Sequence, residues 1–186
     1  MGEIIQVAKR GPLLNENINA KFEDAFLPHL NAAYNLARWL TRDSADAEDV
    51  VQEAYMRAFK FFGSYRGGDS RAWVLKIVRN TCYSWLQKNR PLEIVSEFDE
   101  DLHVVETEDP ETIFIRDIDK QRLRGFLEQL PAEFREIVIL RDLEGLSYKE
   151  IAGIADLPLG TVMSRLARAR GKLQAALNAL ESGDAK

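Results

Sequence analysis

The chain predicts an all-α protein of two small helical domains joined by a flexible acidic linker, the C-terminal one a helix-turn-helix domain. Three observations carry that prediction. Apolar residues recur every three or four positions along most of the 186 residues, and no stretch reads as a strand. Residues 92–108 lose the period and carry Glu93, Glu97, Asp99, Glu100, Asp101, Glu106 and Glu108. Residues 147–172 then read as a short helix, a tight turn and a second helix of one charge sign. The domains implied are 17–90 and 111–181, with 91–110 as the linker.

Residues 1–16, with Gly11 and Pro12, form a loose leader. A helix is expected over 19–40, where Phe22, Phe26, Leu30, Ala33, Tyr34, Ala37 and Leu40 share a face and Pro28 is placed to bend it. Asp43 or Ser44 caps the next helix, whose first turns hold Asp46, Glu48 and Asp49 where the macrodipole favours negative charge. Val50, Val51, Ala54, Tyr55, Ala58, Phe59 and Phe62 make its apolar stripe, and Asp49, Gln52, Glu53, Arg57 and Lys60 a polar face that by itself reads as solvated. The run 63–70, with two adjacent glycines, is a loop. Asp69 or Ser70 caps a third helix to about residue 89, with Trp73, Ile77, Val78, Thr81, Cys82 and Trp85 on the buried side and Arg71, Lys76, Arg79, Asn80, Lys88 and Arg90 on a basic one.

Aromatic and basic residues interleave over 65–90, a pattern that suits unpaired bases, since rings stack on base faces and cations follow phosphates. Trp73 and Trp85 are better read as core. The loop Tyr65, Arg66, Gly67, Gly68, Asp69, Ser70 and the amide of Asn80 are the stronger candidates for touching a base.

After Pro91 and the acidic stretch, Ile113, Ile118, Leu123, Phe126, Leu127 and Leu130 suit a helix to about residue 129. Pro131 is expected at the first position of the next helix, with Phe134, Ile137, Val138, Leu140 and Leu143 on its apolar side and Gly145 as its stop. Ser147 and Glu150 then form a capping box that opens a helix over 148–155. Residues 156–160 turn the chain, and a second helix starting within 158–161 buries Val162, Leu166, Ala169 and Leu173. Arg165, Arg168, Arg170 and Lys172 make it basic, and no acidic residue occurs from 161 to 174. Thr161 and Ser164 stand near its N-terminal end, where a recognition helix would enter the major groove.

The net charge of -5 is unusual for an autonomous nucleic-acid binder. Acids gather over 43–53 and 93–111, bases over 66–90 and 165–172, so DNA-facing and protein-facing surfaces alternate along one chain. Cys82 has no partner for a disulfide and reads as a small core residue. His29 and His103 lie apart without nearby Cys, so no metal or other cofactor is expected. No apolar run nears the roughly 20 residues of a membrane span, and no signal peptide is evident at the N-terminus; no membrane insertion and a cytoplasmic location are expected. An enzyme is the least favoured class, for want of a Ser/His/Asp set or a phosphate-cradling Gly loop. A stand-alone helix-turn-helix regulator and a pure interaction module remain as rivals.

Three segments of the C-terminal half, LPAEFRE at 130–136, GLSYKEIA at 145–152 and GTVMSRLARAR at 160–170, closely resemble the promoter-reading domain of the extracytoplasmic-function sigma factors of bacterial RNA polymerase. The N-terminal half resembles the same family through DAEDVVQE at 46–53, the loop YRGGDS at 65–70, and Trp73 to Asn80 and Thr81. The resemblance implies a sigma factor that binds core RNA polymerase, recognises promoter DNA and is regulated by an anti-sigma factor. It implies that Asp46, Glu48, Asp49, Gln52, Glu53 and Arg57 dock on the polymerase clamp helices. Tyr65 to Ser70, with Lys76, Arg79 and Asn80, would hold a base flipped from the melted downstream (-10) element. Ser147, Tyr148, Thr161, Met163, Ser164, Arg165, Arg168, Arg170 and Lys172 would read the upstream (-35) duplex. Met163 and Ala167 depart from the Arg or aromatic that relatives often carry, so the upstream preference does not transfer.

Overall fold

The computed structural model describes residues 16–90 and 120–183, and every regular element among them is helical. Residues 1–15 of the leader, the acidic linker and the positions Ile113 and Ile118 lie outside the described residues, while Glu16, given to the leader, opens the first helix.

The N-terminal unit runs α1 (Glu16–Phe26), a 3-10 turn (Leu27–His29), α2 (Leu30–Thr41), α3 (Ser44–Phe61), a second 3-10 turn (Phe62–Ser64) and α4 (Ser70–Asn89). The single helix expected over 19–40 is therefore two. Pro28 offers no N–H and its ring collides with the preceding turn, so the chain tightens and restarts at Leu30. A two-residue corner joins α2 to α3. Arg42 adopts the left-handed conformation at φ 61° and donates its N–H to Arg38 O at 3.0 Å. Asp43 then caps α3, its Oδ1 accepting from the backbone of Ala45 at 2.8 Å and Asp46 at 3.1 Å.

Helices α2, α3 and α4 pack pairwise, and α1 lies against α4. Ala33, Ala37, Ala47, Ala54 and Ala58 are fully buried, and such short side chains let helix axes approach to the near end of the usual 8–10 Å range. Leu36, Leu40, Val74, Leu75, Val78 and Leu86 fill the remaining volume. The core side of α4 differs from expectation: Val74, Leu75 and Leu86 are buried, while Trp73, Ile77 and Trp85 are only half-buried. Because α4 packs on three helices, its buried arc is rotated, and the bulky rings sit at its border. Leu30 and Tyr34 on α2, Phe59 near the end of α3 and Phe62 in the 3-10 turn after it, all expected in the core, are likewise half-buried.

The C-terminal unit runs α5 (Lys120–Gln129), α6 (Ala132–Val138) continuing into a π-helical turn (Ile139–Leu143), α7 (Tyr148–Ala155) and α8 (Leu159–Gly183). Pro131 stands one position earlier than expected, as the N-cap. Its ψ of 149° is extended, and its carbonyl accepts from Phe134 at 3.1 Å and Arg135 at 3.0 Å. Arg135, fully buried, donates from Nη2 to Leu130 O at 2.7 Å and ties α6 to the end of α5. Gly145, two residues beyond the π turn, has a φ of 69° that favours glycine, and Leu143, expected in the core, is 42% exposed because the wider turn swings it outward. Phe134, Ile137, Leu140, Ile151, Val162 and Leu166 form the centre of this unit.

Candidate nucleic-acid interface

The helix-turn-helix is built as the sequence predicts. Ser147 Oγ accepts the Glu150 N–H at 3.3 Å, Glu150 Oε2 accepts the Ser147 N–H at 2.7 Å, and α7 ends at Ala155. Asp156, left-handed at φ 59°, reverses the chain, and Pro158 O accepts the Val162 N–H at 3.1 Å to start α8. Val162, Leu166, Ala169 and Leu173 are buried. At 100° per residue this turns Gly160, Ser164, Ala167 and Arg168 outward, with Leu159 and Met163 on one flank and Thr161 and Lys172 on the other. Tyr148 is half-buried, its ring under the Arg141 guanidinium at 4.7 Å.

Two of the expected DNA-binding arginines are drawn back onto the protein. Arg170 forms two hydrogen bonds with Asp142, the shorter at 2.7 Å, and Arg165 pairs with Glu133 at 3.4 Å. The acid-free window 161–174 hid this, because both carboxylates come from the stretch before α7. Of the other two cations, Lys172 is exposed and Arg168 half-buried; the hydroxyl of Ser164 donates to Thr161 O at 3.1 Å.

In the N-terminal unit the loop before α4 is seated on an aromatic cluster. The ring of Tyr65 stacks on Phe62 at 6.2 Å and meets Phe26 and Trp73 at 5.2 and 5.3 Å. Its hydroxyl donates to Gly68 O at 2.7 Å, closing a loop in which Gly67 and Gly68 have φ of 87° and 96°. Arg66 is exposed at the tip. Asp69 is the cap, accepting from Ala72 N at 3.0 Å, and Ser70 Oγ lies 2.8 Å from His29 Nε2. Burial and the nearby Arg71 push the His29 pKa down, against Asp69, which raises it. On α4, Lys76, Arg79 and Asn80 share a side: Arg79 lies 4.2 Å over the Tyr83 ring and 3.4 Å from Asn80 Oδ1. Tyr55, whose hydroxyl donates to Phe26 O at 3.0 Å, has its pKa raised by burial.

The charged side of α3 is open. Glu48, Asp49, Glu53 and Arg57 are exposed, Asp46 and Gln52 half-buried, and Arg57 pairs with Glu53 one turn away. Met56, 56% exposed, lies in the midst of this face. Sequence reading passed over Met56 and Leu159; each breaks a polar face with a large apolar group, which was the available signal.

Comparison with known proteins assigns both units. Residues 25–91 match the family described as Sigma-70 region 2, and residues 120–173 that described as Sigma-70, region 4. The RNA polymerase sigma-H factor of Pseudomonas aeruginosa is 35% identical over 147 residues, covering 74% of this chain and 76% of that protein. The ECF RNA polymerase sigma-E factor of Escherichia coli is 37% identical over 136 residues, 68% of this chain and 71% of that one. Among solved structures, the sigma factor RpoE of Bartonella quintana, in complex with the anti-sigma factor NepR, aligns with a TM-score of 0.66 at 31% identity, covering 85% of this chain and 97% of that chain. The helix-turn-helix, the aromatic-seated loop and the open acidic face thus lie in a chain that belongs to the extracytoplasmic-function sigma factors of the sigma-70 family.

Proposed function

We propose that this chain directs core RNA polymerase to its promoters by three surfaces. The acidic face of α3, centred on Asp49, Gln52, Glu53 and Met56, docks on the polymerase. The loop Tyr65 to Ser70, with Lys76, Arg79 and Asn80, takes the opened downstream element. The outward side of α8, entered from Thr161, Met163, Ser164 and Arg168, takes the upstream element as duplex, while Arg165 and Arg170 hold α8 in place and act on DNA through their field.

One observation carries the reading: a recognition helix occurs in the same chain as a second helical unit with its own aromatic-seated loop and open acidic face. A stand-alone operator-binding regulator needs neither of these. The loop geometry supports capture of an extruded base. Tyr65 is fixed by its neighbours and by Gly68, so it is a preorganised wall, and holding a base there offsets the cost of unpairing it.

In this reading the chain performs no covalent chemistry, works in the cytoplasm and is held inactive by an anti-sigma partner, for which the likeness to RpoE solved with NepR is the support. Run-off transcription with core polymerase on a randomised promoter library tests the whole. Specific initiation at a common two-part element is expected, and initiation no more specific than that of core alone overturns the reading. Recovery of core polymerase without any inhibitory partner from uninduced cells overturns the regulatory part.

A further inference from the structure

The side chains that α8 offers at its leading end are unlike those that hydrogen-bond to base edges. Leu159 and Met163, one turn apart, are each 50% exposed, and exposed Ala167 continues their row. None of the three carries an N–H or O–H on its side chain. Ser164 beside them has its hydroxyl turned back to Thr161 O. A Cβ built on Gly160 would meet nothing within 4 Å, so the row is uncovered on that side too. Across the outward side from this row, Arg168 and Lys172 give the helix the sign that a phosphate backbone requires.

An apolar row on a cationic helix is matched by one group in the major groove, the 5-methyl of thymine. We propose that Leu159 and Met163 read thymine methyl groups in the upstream element, and that this contact, rather than an arginine–guanine pair, sets the base preference at these positions. The proposal rests on the duplex-reading role given above to the C-terminal unit. The two residues are separated by about 6 Å of axial rise. A separation of that size lets each side chain meet a thymine of its own.

The test uses the full chain with core polymerase. Upstream elements are selected from a randomised duplex library, and each thymine, on either strand, is then replaced by deoxyuridine, which removes the methyl and keeps the pairing. Affinity is expected to fall about fourfold at each of two thymines, the worth of one buried methylene-sized group. Met163→Ala should abolish the sensitivity at one of them and Leu159→Ala at the other, a coupling that general loss of stability does not produce. Selected elements without thymine, tolerance of deoxyuridine throughout, or a Met163→Ala variant that weakens thymine and uracil duplexes equally would each overturn the proposal and leave the duplex-reading role standing. Binding unaffected by scrambling the whole upstream element overturns that role, and the proposal with it.

Discussion

Arg170 shows how one side chain can look like a nucleic-acid contact and serve the fold. Its guanidinium reaches Asp142 through two hydrogen bonds, with side-chain exposures of 24% and 16%, so the pair is largely shielded from solvent. Asp142→Asn should lower the stability of the C-terminal unit by about 1–2 kcal/mol, the worth of charge-assisted bonds discounted for partial exposure. The same substitution releases a cation toward DNA, and the slope of log affinity against log salt should steepen by about one. A thermal melt and a salt titration read the two effects. The sequence made Arg170 legible as a cation on the basic helix, while Asp142, 28 positions earlier, was invisible to any local pattern. His29 belongs at this scale as well. Its pKa is lowered in the folded state, chiefly by burial, so the unfolded chain binds more protons below the ordinary value of about 6.5. The stabilisation it gives is complete above that value and is lost as pH falls through it towards the folded pKa. Trp39, Trp73 and Trp85, the three tryptophans of the chain, all lie in the N-terminal unit, so their fluorescence during denaturation reports that unit. Between pH 7.5 and 5.5 its midpoint should decline, and His29→Asn should flatten the decline.

Helix ends were the most readable elements, because capping chemistry is local. Ser147 with Glu150 occupies the expected box, and Asp43 and Asp69 are the caps where an adjacent serine was the alternative. Ser147→Ala should cost about 1 kcal/mol by releasing an orphan N–H at the start of α7, seen as an earlier melt of the C-terminal unit by circular dichroism. Helix interiors were less readable. The period of α4 showed that it has a buried side but not which neighbours would cover it, and three partners turned Trp73 and Trp85 to the border. Pro28 was legible as an irregularity, and the tight turn it imposes splits one expected helix into two. Pro131 moved by one position because a cap and a first helical residue share the same φ and differ only in ψ.

At the scale of the molecule, the alternation of acidic and basic stretches was legible from charge blocks, and the family from two independent sets of motifs. What the chain could not disclose was which charges remain outward once it folds. Asp49→Lys and Glu53→Lys together, on exposed positions, should leave the melting temperature nearly unchanged and lower the affinity for core polymerase at least tenfold, as measured by competition with another sigma factor. If binding survives, the open side of α3 is not the docking face.

The tether of Arg165 and Arg170 to Glu133 and Asp142 also bears on how the subunit behaves between rounds of transcription. Bulk chromosome is a vast reservoir of competing duplex, and a freely cationic helix would partition onto it. Because Arg165 and Arg170 already have carboxylate partners, α8 should hold non-specific duplex less tightly than a helix with those arginines free. A smaller share of the protein is then expected to be drawn off by the chromosome, leaving more of it to meet polymerase.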